Sequence, residues 1–355
     1  MQFKNVTGKN KVIYEGMWGK FEFPEVLKIE PTSNGKSTTY KIAGEPGVNG
    51  ETIQKAFSIN NKELFENQYH KVVSGNGDEA KKILTLHSSS RCAILCFYHI
   101  DSTHTVTLNL NGRDVEFNFS TFEFKNPVIG YPSNMDVVLV SSDRKVVLFL
   151  ESKFSEYYIN ATKHSAHISK SYEEYEFSKQ FYTSEMLNFL EIRKEYVTVT
   201  KKDKGGEEKQ QEVMVLFSMD DSEIYLDGFK QMISHYVGVR RRLSGACIKS
   251  DVENDIATTI LDVIKKPDSK VYLGEILFDT FTIPNDCNDE LHPKKMLEKY
   301  SELYHKLAKA MNQQIKLDGI QDKFEVLPFD LKYSEFMRCN PHIEPATLSF
   351  YGIKE

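Results

Sequence analysis

The strongest hydrophobic pattern in the chain is a pair of apolar runs separated by a short polar segment. Residues 137–140 and 146–150 are apolar at every position and mostly β-branched, whereas residues 141–145 are polar or charged. Two such runs around a polar turn predict a β-hairpin. Because apolar residues occupy successive rather than alternate positions, we expect protein to cover both faces of this hairpin.

The pattern elsewhere predicts helices and further strands around that hairpin. Residues 103–124 alternate around Asn111-Gly112, a strong signal for a second hairpin. The continuous apolar character of residues 92–98 fits a buried strand or helix, and that of residues 271–281 fits a strand. Helical spacing of apolar residues is found in residues 62–73, 172–195, 227–239, 256–264 and 294–314.

The same pattern suggests how the chain is divided. Residues 1–60 hold short apolar stretches at 12–14, 21–23 and 26–29, which predict short strands between turn-rich breaks. Together they predict an N-terminal extension packed on the core. Residues 61–355 predict one α/β domain. Within that domain, residues 198–212 are charged and have almost nothing to bury, so they form either a long hairpin tip or an insertion.

Three charged residues lie at one end of the central hairpin. If the turn is centred between residues 143 and 144, residue 140 faces 147, residue 138 faces 149, and Asp136 faces Glu151. Cross-strand partners point to the same side of a sheet, and Lys153 points the same way because it lies two residues beyond Glu151. This register brings two carboxylates and one amine together.

Two neighbouring carboxylates repel each other, and burying either without a partner is costly. A divalent cation removes both problems, and Mg²⁺ takes one or two carboxylates while keeping waters for phosphate oxygens. Such an ion, Mg²⁺ or Mn²⁺, activates water and stabilises charge on a phosphodiester. Lys153 would orient the attacking water or neutralise the transition state.

Asp136 and Glu151-Ser152-Lys153 resemble the motif of the PD-(D/E)XK nuclease superfamily, with the proline of the motif displaced to Pro132. More narrowly, residues 130–136 and 151–157 are similar to a bacterial group of restriction-endonuclease-like proteins. The resemblance implies a restriction-endonuclease-like mixed β-sheet flanked by helices. It also implies that Asp136, Glu151 and the Ser152 carbonyl hold the metal, and that Lys153 assists catalysis.

The resemblance extends to residues outside the hairpin. Many members of the superfamily complete the metal site with an acidic residue from an early helix. Glu79 is the candidate here, and it would equally suit the start of a helix as a dipole-favoured charge. The other acidic residues that fit this role are Glu51, Glu63 and Glu66.

The helix predicted at residues 227–239 carries a Gln-x-x-x-His spacing that resembles a helix of the same bacterial group. By that resemblance Gln231 or His235 faces the metal site, with a purely structural helix as the alternative. Three successive arginines, Arg240 to Arg242, follow it. They predict either a contact with a phosphate backbone or a favourable interaction with the helix dipole.

Composition adds limits rather than a function. The chain has 355 residues, 40% hydrophobic and 27% charged, as expected of a soluble globular protein. The net charge of −6 does not indicate nucleic-acid binding, so any such surface must be local. Five scattered cysteines, no signal-peptide pattern and no apolar run near the ~20 residues of a membrane span predict a cytoplasmic protein with reduced thiols.

These observations predict a Mg²⁺-dependent endonuclease that hydrolyses DNA, of restriction type. An enzyme that cuts both strands is expected to act as a homodimer, although no sequence feature identifies a dimer interface. Two alternatives remain open. One is an RNA- or repair-directed nuclease with the same chemistry. The other is a non-catalytic nucleic-acid-binding or interaction protein that keeps the nuclease-like fold.

Overall fold

The chain folds into helices and strands in a computed structural model, which describes residues 3–4, 6–33, 38–74, 79–159, 166–202, 208–251, 255–281 and 292–353. The strands are β1 (Ile29–Ser33), β2 (Thr38–Ile42), β3 (Val106–Leu110), β4 (Arg113–Asn126), β5 (Ser133–Ser141), β6 (Val146–Lys153), β7 (Ala166–Ile168), β8 (Ile192–Lys202), β9 (Glu208–Ser218), β10 (Lys270–Leu277), β11 (Phe324–Val326) and β12 (Leu331–Lys332). The helices are α1 (Gly8–Trp18), α2 (Glu51–Phe57), α3 (Lys62–Val73), α4 (Glu79–Lys82), α5 (Ser89–Phe97), α6 (Glu156–Ile159), α7 (Lys170–Glu174), α8 (Ser184–Phe189), α9 (Leu226–Leu243), α10 (Asp255–Lys265), α11 (Pro293–Leu317), α12 (Tyr333–Cys339) and α13 (Pro345–Phe350).

The main sheet is mixed and has the strand order β11-β10-β6-β5-β4-β3, with β12 also paired to β10. The successive pairs β3–β4, β4–β5 and β5–β6 are antiparallel, whereas β10 runs parallel to β6, β11 and β12. Hydrophobic clusters cover both faces, and helices contribute to each cluster. The predicted mixed sheet flanked by helices is confirmed at this level.

The central hairpin has the predicted register. Val140 pairs with Val147 and Val138 with Phe149, and every residue of β6 is buried. Alternate residues of β6 enter the two different clusters, which explains why the run is apolar at every position. The regular ladder between β5 and β6 ends at the pair Val137–Leu150.

Strand β4 changes its facing side at Glu123. This residue has a φ of +52°, which is uncommon for a residue other than glycine. Phe122 packs into one cluster and Phe124 into the other, although residues two apart in a regular strand share a face. Because Glu123 lies opposite the Asp136 region of β5, the irregularity falls beside the predicted site.

Two local predictions are wrong. Residues 12–14 lie in helix α1 and residues 21–23 lie in no strand, whereas short strands were predicted for both. For residues 92–98, which fitted either a strand or a helix, the structure shows helix α5. Ser88 caps its first turn, and α5 is buried on all sides, so its sequence lacks helical periodicity. The helical stripe of residues 172–195 is divided between α7, a 3₁₀ turn at Lys179–Tyr182, α8 and the start of β8.

The remaining segments join these elements without a separate core. Trp18 and Phe57, from the predicted N-terminal extension, lie in the same hydrophobic cluster as Leu148 of the central hairpin. The charged stretch at 198–212 belongs to a β8–β9 hairpin, although residues 203–207 lie outside the described residues. None of the described helices combines the length and apolar character needed to cross a membrane.

Candidate functional site

Asp136 lies where the backbone ladder between β5 and β6 ends. Its Oδ2 atom accepts a hydrogen bond of 2.7 Å from the backbone N–H of Ser152, so the side chain continues the contact that the two backbones no longer make. The Ser152 hydroxyl lies 2.7 Å from the Tyr333 hydroxyl on the other side of the sheet. Asp136 is therefore fixed beside the Glu151–Ser152 peptide, as the predicted hairpin register requires.

Glu151 is a buried carboxylate with a basic side chain at each oxygen. Lys153 Nζ donates to Oε1, and His235 Nε2 lies 2.8 Å from Oε2. The side chains of Glu151 and His235 are 6% exposed and that of Lys153 is 3% exposed, so solvent screens these contacts weakly. Burial by itself would raise the pKa of Glu151, but Lys153 and His235 together lower it to about 2.

Lys153 is held as a charged amine. Its Nζ also donates to Gln231 Oε1 at 2.6 Å and lies 5.8 Å from the centre of the Tyr225 ring. Burial opposes the charge, yet Glu151, with further help from Tyr225 and Glu156, raises the pKa of Lys153 well above its usual range. Lys153 can therefore donate hydrogen bonds and stabilise negative charge, but it is not poised to accept a proton.

Helix α9 supplies both residues that the sequence offered as alternatives. Gln231 and His235 are one turn apart and reach Lys153 and Glu151 respectively. The helix lies close to the strands because Gly238 has no side chain: a Cβ there would lie 2.7 Å from the Cβ of Asn126. The predicted helix is thus present and brings its Gln-x-x-x-His pair to the carboxylates.

Asp136 has acidic neighbours whose repulsion a positive charge would offset. Burial, followed by the charges of Glu151 and Glu123, raises its pKa well above the usual range. Glu123 lies across from Asp136 between the flanking pairs Phe122–Val137 and Phe124–Met135. A divalent cation would relieve this repulsion, and oxygen donors of this kind suit Mg²⁺ or Mn²⁺.

The described residues do not contain three His, Cys, Asp or Glu side chains already arranged around one metal position. Mg²⁺ requires only one or two protein carboxylates and fills its other positions with water and substrate oxygens. Asp136 and Glu151 therefore fit the cation, provided that Lys153 releases an oxygen of Glu151.

Glu275 is a functional candidate that the sequence analysis did not identify. It pairs with Glu151 on the adjacent parallel strand and is fully buried. The Tyr300 hydroxyl donates to its Oε1 atom at 2.9 Å, whereas Oε2 has no hydrogen-bond partner among the described residues. Burial raises the pKa of Glu275 well above its usual range. The sequence feature that could have identified Glu275 is its position as a single carboxylate within the apolar run of residues 271–278.

The predicted acidic residues upstream do not reach this group through their described contacts. Glu79 is the first residue of α4, and its side chain lies outside the described residues. Glu51 accepts from the backbone N–H of Asn49, and Glu66 accepts from Gln54. Glu63 is exposed in the first turn of α3. In the described part of the chain, the acidic neighbour of Asp136 is instead Glu123 on β4.

The arginines after the α9 motif turn inward. Arg240 pairs with Asp318 at 2.9 Å, and Arg242 forms a two-pronged ion pair with Asp251. Arg241 donates to a backbone carbonyl in the β4–β5 connection at 2.7 Å. Arg240 and Arg242 are buried, so the prediction that they contact a phosphate backbone is wrong. Packing of the helix end onto the β4–β5 connection explains the difference.

The central group therefore consists of Asp136, Glu151, Lys153, Gln231 and His235, with Glu123 and Glu275 on the flanking strands. Comparison of the chain with protein-family models, with curated proteins and with solved structures gives no match.

Proposed function

We propose that the protein is a metal-dependent phosphodiesterase that hydrolyses nucleic acid, with DNA as the expected substrate and restriction-type endonuclease activity as the expected role. One observation carries the proposal. Asp136, Glu151 and Lys153 meet at the end of one hairpin, and Gln231 reaches the same amine from α9. Carboxylates that favour a cation, beside a charged amine, are the groups that phosphodiester hydrolysis requires.

Each residue has a separate role in this proposal. Asp136, Glu151 and the Ser152 carbonyl would hold Mg²⁺ or Mn²⁺, with Glu79 as the predicted additional ligand. The bound cation would supply charge stabilisation and an acidified water. Lys153 donates to the phosphate oxygens or orients the water, since its raised pKa keeps it protonated. Gln231 positions the Lys153 amine, and His235 holds Glu151.

Loading of the site requires a local exchange of partners. Both oxygens of Glu151 are engaged, one by Lys153 and the other by His235. Gln231 Oε1 gives the Lys153 amine a second acceptor, so the amine can leave Glu151 without losing every hydrogen bond. Released in this way, the amine is available to the negative charge that develops on the substrate.

The test is cleavage of plasmid and single-stranded DNA with Mg²⁺ or Mn²⁺, by wild type and by Asp136→Asn. We expect the variant to lose at least about 100-fold in rate, because it cannot supply the anionic ligand. Asp143→Asn, in the exposed turn of the same hairpin, is the matched control and should keep full activity. Calorimetric titration with Mn²⁺ reports metal binding independently of cleavage. Absence of both cleavage and metal binding in the wild type would refute the proposal.

A non-catalytic nucleic-acid-binding or interaction protein is the second candidate. It is favoured by the contacts of Lys153 and His235 with the buried Glu151 carboxylate, which an inactive site would also keep. This candidate predicts nucleic-acid binding without divalent-ion binding or cleavage. RNA included beside DNA in the cleavage assay tests the RNA-directed alternative. Light scattering with and without DNA tests the expected homodimer.

A further inference from the structure

A cavity of about 190 Å³ opens next to the candidate site, between α3, β4 and α10. It is lined by Lys71 and Ser74 at the end of α3, by residues 121–125 of β4, and by Asp251, Ile256 and Ala257. Asp251 is already paired with Arg242. Two lysines, Lys71 and Lys125, and two acidic residues, Glu123 and Asp251, therefore border this small recess. None of the roles described above uses this cavity.

Lys71 is a partly buried amine whose counter-charge is missing from the described structure. Its Nζ donates to the neutral amide oxygen of Gln68 at 2.8 Å. In the described part of the chain, no carboxylate lies within ion-pair distance of Lys71. Burial lowers its pKa to about 8, which reflects the cost of keeping the charge there. An anion in the cavity would offset that cost.

Glu123 connects the cavity to the metal-binding group. Its side chain lines the cavity, and its charge contributes to the raised pKa of Asp136. Asn134 donates to Glu123 Oε2 at 3.0 Å. An anion beside Lys71 is therefore close to the carboxylates proposed to hold the cation. The carboxylate of Glu123 repels a free anion, so an anion that shares its charge with the bound cation is favoured over one that binds alone.

We propose that this cavity is a phosphate subsite that holds a backbone phosphate of the nucleic-acid substrate. Lys71 and Lys125 supply the positive charge, and Ser74 supplies a hydroxyl. The inference rests on the proposed function, because it assigns the phosphate to the substrate of the same site. It explains how a chain with a net charge of −6 contacts nucleic acid without an extended basic surface.

The test is binding of a fluorescent oligonucleotide, measured by anisotropy with Ca²⁺ in place of Mg²⁺ over a series of salt concentrations. Lys71→Gln and Lys125→Gln are compared with Lys62→Gln, an exposed lysine at the start of the same helix α3. Each cavity variant should weaken binding. Each should also reduce the slope of log K against log salt by about 0.7 to 0.9, the value for one lost phosphate contact. Lys71→Arg should retain binding, and thermal melting checks the fold of each variant.

The outcomes separate the subsite from the proposed activity. Equal affinity and salt slope for Lys71→Gln and Lys62→Gln would overturn the subsite even if Asp136-dependent cleavage is present. If the wild type shows no Asp136-dependent cleavage but the lysine variants still weaken binding, the subsite is supported and the proposed nuclease activity is refuted. If inorganic phosphate displaces the fluorescent oligonucleotide as effectively as unlabelled oligonucleotide does, the assignment of the subsite to a nucleic-acid backbone would be overturned.

Discussion

Glu151 and Glu275 are neighbours on parallel strands, and their surroundings give them opposite acid strengths. Lys153 and His235 hold the pKa of Glu151 at about 2, whereas burial raises that of Glu275 well above its usual range. Glu275 contacts the Tyr300 hydroxyl rather than a charged donor. One carboxylate therefore serves as the counter-ion of the site, and its neighbour favours the neutral form.

Replacement by glutamine should distinguish these two carboxylates. Glu151→Gln leaves buried Lys153 without its counter-charge, so we expect a loss of about 3 to 5 kcal/mol in the free energy of unfolding. Glu275→Gln keeps an acceptor for Tyr300 and should cost less than about 1 kcal/mol. Denaturant unfolding at neutral pH measures both. Equal losses would show that Glu275 is also a required charge.

The pH dependence of stability gives a second test of Glu275. In the unfolded chain this group titrates near 4.5, and in the folded chain it keeps its proton to a higher pH. Above pH 4.5 the folded state therefore binds more protons than the unfolded state, and the contribution of Glu275 to stability falls as the pH rises. The difference between wild type and Glu275→Gln should shrink or reverse from pH 4.5 towards pH 8. A difference that is constant with pH would contradict the neutral form.

The charged amine of Lys71 should lower the stability of the fold while it strengthens oligonucleotide binding. Its pKa of about 8 in the folded chain is lower than the usual 10.5, so the unfolded state binds more protons between these values. The contribution of Lys71 to stability therefore rises as the pH increases from 8 to 10.5. Lys71→Met should remove this rise and increase stability at pH 7 while weakening oligonucleotide binding. Unchanged stability at every pH would show that the amine is well solvated.

At the scale of elements, helix α9 connects packing to chemistry. Its middle carries Gln231 and His235, and one turn later Gly238 lies against Asn126 and Ser133 of the neighbouring strands. The side chains at the site are thus positioned by the close approach of the α9 backbone to the side chains of Asn126 and Ser133. Sequence periodicity predicted the helix. The resemblance of its Gln-x-x-x-His spacing to a helix of the bacterial group indicated the two polar residues. The close approach at the glycine depends on distant strands and leaves no local pattern.

Gly238→Ala should therefore affect both stability and the site. Alanine favours a helix by about 1 kcal/mol over glycine, but its Cβ would lie 2.7 Å from Asn126 and 3.0 Å from Ser133 Oγ. We expect a net loss of about 1 to 3 kcal/mol in unfolding free energy and reduced cleavage, since α9 must shift. Lys230→Ala on the same helix is the control for helix propensity. A more stable Gly238→Ala variant would show that the helix has room to adjust.

Elements with one buried face were predicted well, and elements buried on all sides were not. The range predicted for α3 agrees with the observed Lys62–Val73, and α11 is close to its predicted range. Helix α5 has an apolar sequence on all sides, so periodicity could not separate it from a strand.

In the site, the hairpin register located Asp136 and Glu151. Glu275 was missed because it pairs with Glu151 across 124 residues of sequence, a distance at which local patterns carry no information.

At the scale of the whole molecule, long-range contacts join segments that the sequence separates. Asn111, at the tip of the β3–β4 hairpin, donates to Glu325 of β11 at 2.7 Å, so the two ends of the main sheet approach each other. The predicted extension at residues 1–60 contributes Trp18 and Phe57 to the central cluster. Segmentation by turn-rich sequence cannot reveal such contacts, because burial depends on partners far along the chain.

The β8–β9 hairpin is the part of the molecule that the core should need least. Thr198 and Glu212 pair directly and are exposed, whereas residues 213–216, nearer the base of the hairpin, are buried. Replacing residues 199–211 by Asn-Gly would close the hairpin with a two-residue turn. We expect a change within about 0.5 kcal/mol in the free energy of unfolding, because the removed side chains that are described lie mainly at the surface.

Leu216→Ala, at the buried base, should cost about 2 to 5 kcal/mol and serves as the positive control. Denaturant unfolding compares the three proteins. A comparable loss in the shortened protein would mean that the tip packs on the core, whereas unchanged stability with weakened oligonucleotide binding would identify the tip as a substrate contact.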